Sequence, residues 1–178
     1  MDTKQDGNVL VCFNDDGVCN IKLVGNVRYD STSKGFMDFV NTKLLDEAVT
    51  DVVVDIRECE YIDSTDIGIL ASIAMTQKEK SAPKPTIIYS ETKEESSVMR
   101  AISDVNVSVL FDLLESEEIS AACKFNKLEA KDCSQHEYSK IMYKTHKILS
   151  DLDESNKKKF ESVMKYLTES VSTSSRKK

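Results

Sequence analysis

Short apolar runs of strand length alternate, over residues 8–125, with segments in which apolar residues recur at helical spacing. The runs at residues 9–13 and 18–24 flank Asp16-Gly17, a dipeptide typical of a tight turn, so the chain is predicted to open with an antiparallel hairpin. Together with the later segments, the pattern predicts the element order β-β-α-β-α-β-α-β-α. After the hairpin, this order requires mostly parallel strands joined by right-handed crossovers.

The segment from residue 51 to residue 75 contains the most distinctive junction of the sequence. Residues 52–56, VVVDI, form a β-branched apolar run that predicts a strand buried on both faces. From Thr65 on, apolar residues recur at i, i+3, i+4 and i+7, which predicts a helix. Ser64 lies between them and is a residue type that favours the N-cap, so its hydroxyl is expected at the helix start. A hydroxyl beside the unpaired N–H groups of a helix N-terminus indicates a site where a phosphate can be held.

The other segments of this region complete the predicted order. Residues 35–48 have helical spacing, and residues 80–85, which contain both prolines, separate the central helix from a short strand predicted at 86–89. Residues 107–111 are predicted to form another strand. Two further helices are predicted, one from the capping box of Thr92 and Glu95, the other from the spacing of Ile119, Ala122 and Cys123.

The last 53 residues have a different pattern. After a polar linker at residues 126–132, Ser134 and Glu137 form a second capping box, and two amphipathic stripes follow. Two such helices joined by a few residues predict an antiparallel helical hairpin. Its apolar stripes must be buried either against the main domain or in a homodimer through the hairpin, and both alternatives stay open.

We therefore divide the chain into a domain at residues 1–125 and a two-helix extension at residues 126–178, with a disordered basic tail from residue 172. Residues 1–125 contain every element of the predicted α/β domain. They are expected to fold without the extension.

The sequence from Asp63 to Gly68, DSTDIG, resembles the signature of STAS domains, in particular bacterial anti-sigma factor antagonists, which follows roughly D-S-S/T-G-L-G. The resemblance implies a STAS fold: an α/β domain with a mixed β-sheet, opening antiparallel hairpin and then parallel strands, and helices packed against it. The order predicted over residues 8–125 agrees with this fold. In that family the serine after the aspartate is phosphorylated by a partner kinase, and by position that serine is Ser64. Thr65 is the alternative acceptor.

Two positions depart from the family pattern. Asp66 replaces a glycine; a carboxylate in the first helical turn favours the helix dipole, and the alternative is that Asp66 competes with the phosphate or mimics it. Arg28 stands where the family's turn G-x-L-D carries an aspartate that contacts the kinase, and a reversed charge there puts the usual partner in doubt. The phosphosite loop and partner surface implied by the resemblance comprise Asp63, Thr65, Asp66, Ile67, Gly68, Asn26 and Arg28.

The resemblance also implies a function. Unphosphorylated, such a protein binds an anti-sigma factor or similar serine-kinase regulator, and phosphorylation of Ser64 releases that partner. The implied partners are this kinase and a metal-dependent serine phosphatase. A different class of function stays open, a STAS scaffold or small-ligand-binding module without a phosphorylation cycle.

The charge and the missing motifs argue against several other classes of function. Residues 1–125 hold 12 Lys and Arg against 23 Asp and Glu, which argues against nucleic-acid binding through that domain. The sequence has neither G-x-x-x-x-G-K-[ST] nor G-x-G-x-x-G. His136 and His146 both lie in the predicted hairpin, so neither is expected to join a Ser-His-Asp arrangement or a metal site. The sequence predicts a non-enzymatic protein without cofactor or metal.

The cysteines and the hydropathy indicate the compartment. Five widely spaced cysteines without a C-x-x-C pair argue against a disulfide framework and indicate small core residues in a reducing environment. No apolar run approaches the roughly 18 residues that cross a bilayer, and the first eight residues have no apolar signal core. The predicted location is the cytoplasm, without a membrane partner.

Overall fold

The computed structural model describes residues 6–90, 97–117 and 123–174, with side chains described up to residue 172. Its strands are β1 (Asn8–Phe13), β2 (Val18–Val27), β3 (Asp51–Ile62), β4 (Thr86–Tyr89), β5 (Asp112–Glu115) and β6 (Asn126–Lys127). Its α-helices are α1 (Ser33–Thr42), α2 (Ser64–Glu79), α3 (Ser97–Asp104), α4 (Gln135–Asp151) and α5 (Glu154–Ser174). A 3₁₀ helix spans Ser108–Leu110.

The six described strands form one mixed sheet in the order β5-β4-β3-β2-β1-β6. β1 is antiparallel to β2 and to β6, whereas β2, β3, β4 and β5 are parallel to one another. The predicted α/β class, with its opening hairpin followed by parallel strands, is therefore confirmed. The hairpin turn depends on Gly17, whose φ of +82° lies in the region that glycine adopts without strain.

The predicted strand at residues 107–111 is wrong. Val107 and Phe111 are both buried, but they lie at the two ends of the 3₁₀ helix rather than along an extended segment. The strand comes directly afterwards, as β5, and pairs with β4. Two apolar residues four apart fit one helical turn as well as a strand, so periodicity alone did not separate them.

Other predictions at the domain boundary differ from the structure or lie outside its described residues. The linker predicted at residues 126–132 contains β6, which pairs with β1 through Leu10 and Val11. Cys123 lies in an irregular segment rather than a helix. The capping box of Thr92 and Glu95, and the helical residues Ile119 and Ala122, lie outside the described residues.

The prediction against disulfides is wrong for one pair. Cys12 of β1 is bonded to Cys123, and their Cα atoms are 6.1 Å apart. Their sequence separation of 111 hid the pairing, because only the fold carries the segment before β6 back to β1. Cys19 and Cys59 are free and buried, as expected, and burial raises the pKa of each thiol to about 12.

The helical hairpin shares the core of the sheet domain. Ile141, Leu149 and Phe160 belong to the same cluster of buried side chains as the sheet and α2. Asn156, in the first turn of α5, donates its Nδ2 hydrogens to the backbone oxygens of Val105 (2.8 Å) and Leu149 (3.0 Å). Of the two alternatives for the stripes, burial against the main domain is the one observed. A homodimer and the independent folding of residues 1–125 stay predictions.

We expect Leu149→Ala to destabilise the whole domain, because Leu149 is fully buried where the hairpin meets the sheet domain's core. Removing such a side chain costs about 2–5 kcal/mol. Guanidinium chloride unfolding, followed by circular dichroism, measures the change. Val163→Ala on α5, where the side chain is 38% exposed, is the matched control and should cost less than about 1 kcal/mol. If Leu149→Ala left the midpoint of a single unfolding transition unchanged, the hairpin would not share the domain's core.

Candidate functional site

The junction between β3 and α2 is organised by Asp63 rather than by Ser64. Asp63 is the N-cap of α2, and its Oδ1 accepts hydrogen bonds from the backbone N–H groups of Thr65 (3.0 Å) and Asp66 (3.1 Å). Its Oδ2 accepts a third from the backbone of Tyr29 (2.7 Å), which ties the loop after β2 to the helix start. The prediction that Ser64 is the N-cap is therefore wrong by one residue. Aspartate caps helices as well as serine does, so residue type alone did not separate the two.

Because Asp63 caps the helix, the hydroxyl of Ser64 bonds elsewhere. Ser64 is the first residue of α2 and half-buried, and its Oγ lies 2.9 Å from Nε2 of His146 on α4. The two residues are 82 positions apart in the sequence. The other ring nitrogen, Nδ1, lies 2.8 Å from the backbone oxygen of Met142. The hairpin thus covers the residue that the STAS resemblance identifies as the phosphoacceptor.

The protonation of His146 follows from these two contacts. A carbonyl oxygen only accepts, so Nδ1 carries a proton and donates it to Met142. Burial lowers the pKa of His146, although the bond to Met142 and the charge of Asp63 oppose this. Burial therefore favours the neutral ring, in which Nε2 carries no proton and accepts a hydrogen bond from the Ser64 hydroxyl.

The contact of His146 with a serine was not predicted from the sequence. Its side chain is only 4% exposed, and its ring packs edge-on against Phe160 of α5, with ring centroids 5.6 Å apart. The partner of Nδ1 is a carbonyl of the same helix rather than a carboxylate, so the pair is not a Ser-His-Asp arrangement. One signal in the sequence pointed to this contact: His146 lies on the apolar stripe of α4, where a polar side chain needs a buried partner.

Asp66 lies one turn into α2 and is fully buried. Its Oδ1 is 3.4 Å from Oγ1 of Thr32, and its Oδ2 has no hydrogen-bond partner among the described residues. Burial, followed by the charge of nearby Asp63, raises the pKa of Asp66 well above the ordinary value. Burial favours the protonated form of Asp66, in which the carboxyl has no charge for the helix dipole, and this argues against the interpretation of Asp66 as an ionised group that favours the dipole.

We expect Asp66→Asn to remove a pH dependence from the stability of the domain. Because the folded pKa of Asp66 is raised, its contribution is fully present below the unfolded pKa of about 3.9 and is lost as the pH rises toward the folded pKa. Each unit by which the folded and unfolded pKa values differ is worth about 1.4 kcal/mol of unfolding free energy. The amide of Asp66→Asn does not titrate, so the gain in stability of this variant over wild type should be larger at pH 7 than at pH 4. Urea unfolding at several pH values measures this, with Asp15→Asn in the exposed hairpin turn as control. Parallel pH profiles for Asp66→Asn and wild type would contradict a neutral Asp66.

Gly68 lies at a close contact between α2 and α4. A Cβ built on Gly68 would lie 2.5 Å from Cβ of Thr145 and 2.8 Å from its backbone oxygen. Thr65 and Ile67, on the same turns of α2, are buried as well. Thr65, Asp66, Ile67 and Gly68 therefore lie beneath other elements in this structure, and Thr65 is far less accessible to a kinase than Ser64.

We expect Gly68→Ala to loosen the contact between α2 and α4, although alanine favours helix by about 1 kcal/mol. The new methyl group meets backbone atoms of Thr145, which cannot move without shifting α4. Overpacking of this kind costs about 1–3 kcal/mol, so the net change in unfolding free energy should be destabilising. Lys78→Ala, at an exposed position of the same helix, is the control for helix propensity. A Gly68→Ala protein more stable than wild type would refute the close approach.

Asn26 and Arg28 lie on the far side of Asp63, at the end of β2. The Arg28 guanidinium is stacked over the ring of Tyr61, 5.1 Å from its centroid, and the Asn26 side chain donates to Glu60 (3.4 Å). Both residues line a cavity of about 450 Å³. Its remaining lining comes from residues 6–9, 30–32 and 127–130. The structure therefore places Asn26, Arg28, Asp63 and Ser64 around one end of the sheet, with Tyr29 linking the loop to Asp63.

The described residues form neither a metal-binding cluster nor a membrane-spanning helix. Over residues 6–90, 97–117 and 123–174, no group of three or more His, Cys, Asp or Glu side chains is arranged to hold a metal ion. Within the same ranges, no helix has the length and apolar character that crossing a membrane requires.

The sequence matches neither a protein-family model nor a curated protein. The STAS resemblance therefore depends on the motif at Asp63 to Gly68 and on the order of the elements.

Proposed function

We propose that this protein is a STAS-type partner-switching regulator, similar to bacterial anti-sigma factor antagonists, with Ser64 as its phosphoacceptor. Unphosphorylated, it binds a serine-kinase regulator of the anti-sigma type; phosphorylated, it releases that partner. A metal-dependent serine phosphatase restores the binding form. In this role the protein is a phosphorylated binding module of the bacterial cytoplasm that controls transcription, and it catalyses no reaction itself.

The observation that carries the proposal is the position of Ser64. It is the first residue of the helix that follows β3, and it is half-buried, whereas Thr65 is only 2% exposed. A phosphate there carries a charge near −2 beside a helix N-terminus, which favours anions. Burial raises the pKa of Asp66 and so disfavours a negative charge on this carboxyl in the same helical turn. Adding the phosphate charge to a closely fitted surface costs a few kcal/mol, enough to release a partner.

A second function is favoured by the cavity beside Asn26 and Arg28. Its volume of about 450 Å³ is within the range of small-molecule sites, and its lining carries two cationic side chains, Arg28 and Lys127, and three acidic ones, Asp6, Asp30 and Glu129. The volume supports the alternative, a STAS scaffold or small-ligand-binding module without a phosphorylation cycle. We prefer the switching function because the motif resemblance centres on Ser64 rather than on the cavity.

Co-expression with each switch-type serine kinase of the source organism tests the proposal. Intact mass should increase by one phosphate with one of these kinases, Ser64→Ala should abolish the increase, and Thr65→Val should retain it. The unphosphorylated protein should retain that kinase in a pull-down, and the phosphorylated protein should bind it at least about 100-fold more weakly.

Three outcomes would overturn the assignment. A phosphate that maps to Thr65 and persists in Ser64→Ala would show that Ser64 is not the phosphoacceptor. Phosphorylation of Ser64 that leaves kinase affinity unchanged would refute the switch. No modification by any of these kinases, together with binding of a nucleotide or other anion that Arg28→Ala abolishes, would favour the ligand-binding module.

A further inference from the structure

We propose that the helical hairpin α4–α5 is a built-in cover of Ser64, so that docking of α4 and phosphorylation of Ser64 oppose each other through His146. The inference rests on the proposed function for its biological use and adds a regulatory step to it. It follows from the contact between the Ser64 hydroxyl and Nε2 of His146.

A phosphate on Ser64 has no room in the present arrangement. Oγ and Nε2 are 2.9 Å apart, which is the length of one hydrogen bond, so a phosphorus atom with three oxygens cannot lie between them. The ring cannot move back freely, because Phe160 packs against it and Met142 holds Nδ1. A phosphate that keeps the present side-chain direction must therefore push α4 away.

Rotating the phosphoserine toward solvent does not remove the conflict. The His146 ring is 4% exposed, and Ser64 is the hydrogen-bond partner that Nε2 has in this structure. Turning the serine away leaves a buried acceptor unpaired, which weakens the docking of α4. Both side-chain directions of a phosphoserine thus disfavour the docked hairpin.

The contact next to the serine has little freedom to adapt. Four residues further along α2, Gly68 lets α4 approach so closely that a single added carbon would meet Thr145 at 2.5 Å. Helices in such close contact shift together rather than deform at one residue. A displacement at His146 is therefore transmitted to the neighbouring turn of α4 instead of being absorbed locally.

Binding equilibria that share one contact are reciprocal. If phosphorylation weakens docking of α4 by some factor, then docking disfavours the phosphorylated form by the same factor. A kinase that needs an accessible Ser64 acts on the fraction of molecules in which α4 has moved away. The docking equilibrium of the hairpin therefore sets the fraction of molecules in which Ser64 can be phosphorylated.

Hydrogen exchange of a protein with phosphoserine encoded at position 64 tests the coupling without any kinase or partner. We expect amides of α4, Gln135–Asp151, to exchange at least about tenfold faster than in the unmodified protein, a change of about 1.4 kcal/mol. Amides of β3, Asp51–Ile62, should be unchanged. Phosphoserine at Ser162, an exposed position of α5, is the matched control and should leave α4 unchanged.

The same comparison in His146→Ala identifies the route of the coupling. Without the ring, phosphoserine at position 64 should change α4 exchange by less than about threefold, because both the bond and the obstruction are gone. In the wild-type background, the proposal would be overturned if phosphoserine at position 64 left the exchange rates of α4 within twofold of those in the unmodified protein. This outcome does not depend on whether His146→Ala folds. Undiminished acceleration in folded His146→Ala would also overturn it. Because the phosphate is encoded, this result is independent of whether a kinase modifies Ser64, so failure of the switch function and failure of the cover are distinguished.

Discussion

The packing of α4 against α2 is the contact on which the rest of the structure depends. It joins the helical hairpin to the sheet domain, buries the apolar face of α4 in the common core and places His146 over Ser64. Its closeness is possible because position 68 has no side chain, since any Cβ there would meet the backbone of Thr145. A glycine that belongs to the STAS-like motif thus has a second, local reason to be present in this chain.

Two aspartates three residues apart differ in chemistry because their surroundings differ. Asp63 accepts hydrogen bonds from three backbone N–H groups, two at the start of α2 and one, that of Tyr29, in the loop after β2. Asp66 is buried, and burial followed by the charge of Asp63 raises its pKa well above the ordinary value. The helix start therefore has one acidic side chain engaged with donors and a second whose charged form is disfavoured. A phosphate on Ser64 would be a new charge at this place.

The site has two sides with different possible uses. On one side, α4 covers Ser64; on the other, the loop after β2 carries Arg28 and borders the cavity. Tyr29 connects them, since its backbone N–H is bonded to Asp63. A molecule bound near Arg28 would contact a loop that is tied directly to the N-cap of α2. Such binding and the docking of α4 would then act on the same helix start from two sides.

The sequence by itself determined the features that local physics controls. Alternation and helical spacing predicted the opening hairpin, the strand–helix junction at Ser64 and the paired helices of the tail, because apolar faces must be buried and their period reveals the element. The same local signals misassigned residues 107–111, where an i, i+4 pair of buried residues fits both a strand and a helical turn. They also could not choose between Asp63 and Ser64 as N-cap, since both residue types satisfy the same donors.

Only the tertiary structure decided the contacts between distant residues. The pairing of Cys12 with Cys123, the burial that raises the pKa of Asp66 and the bond between Ser64 and His146 all depend on elements that are far apart in the chain. Burial and proximity set the chemistry of these groups, and neither is a property of a residue type or its neighbours in sequence. The motif could therefore indicate which serine to consider, but only the packing of α4 on α2 determined what that serine contacts.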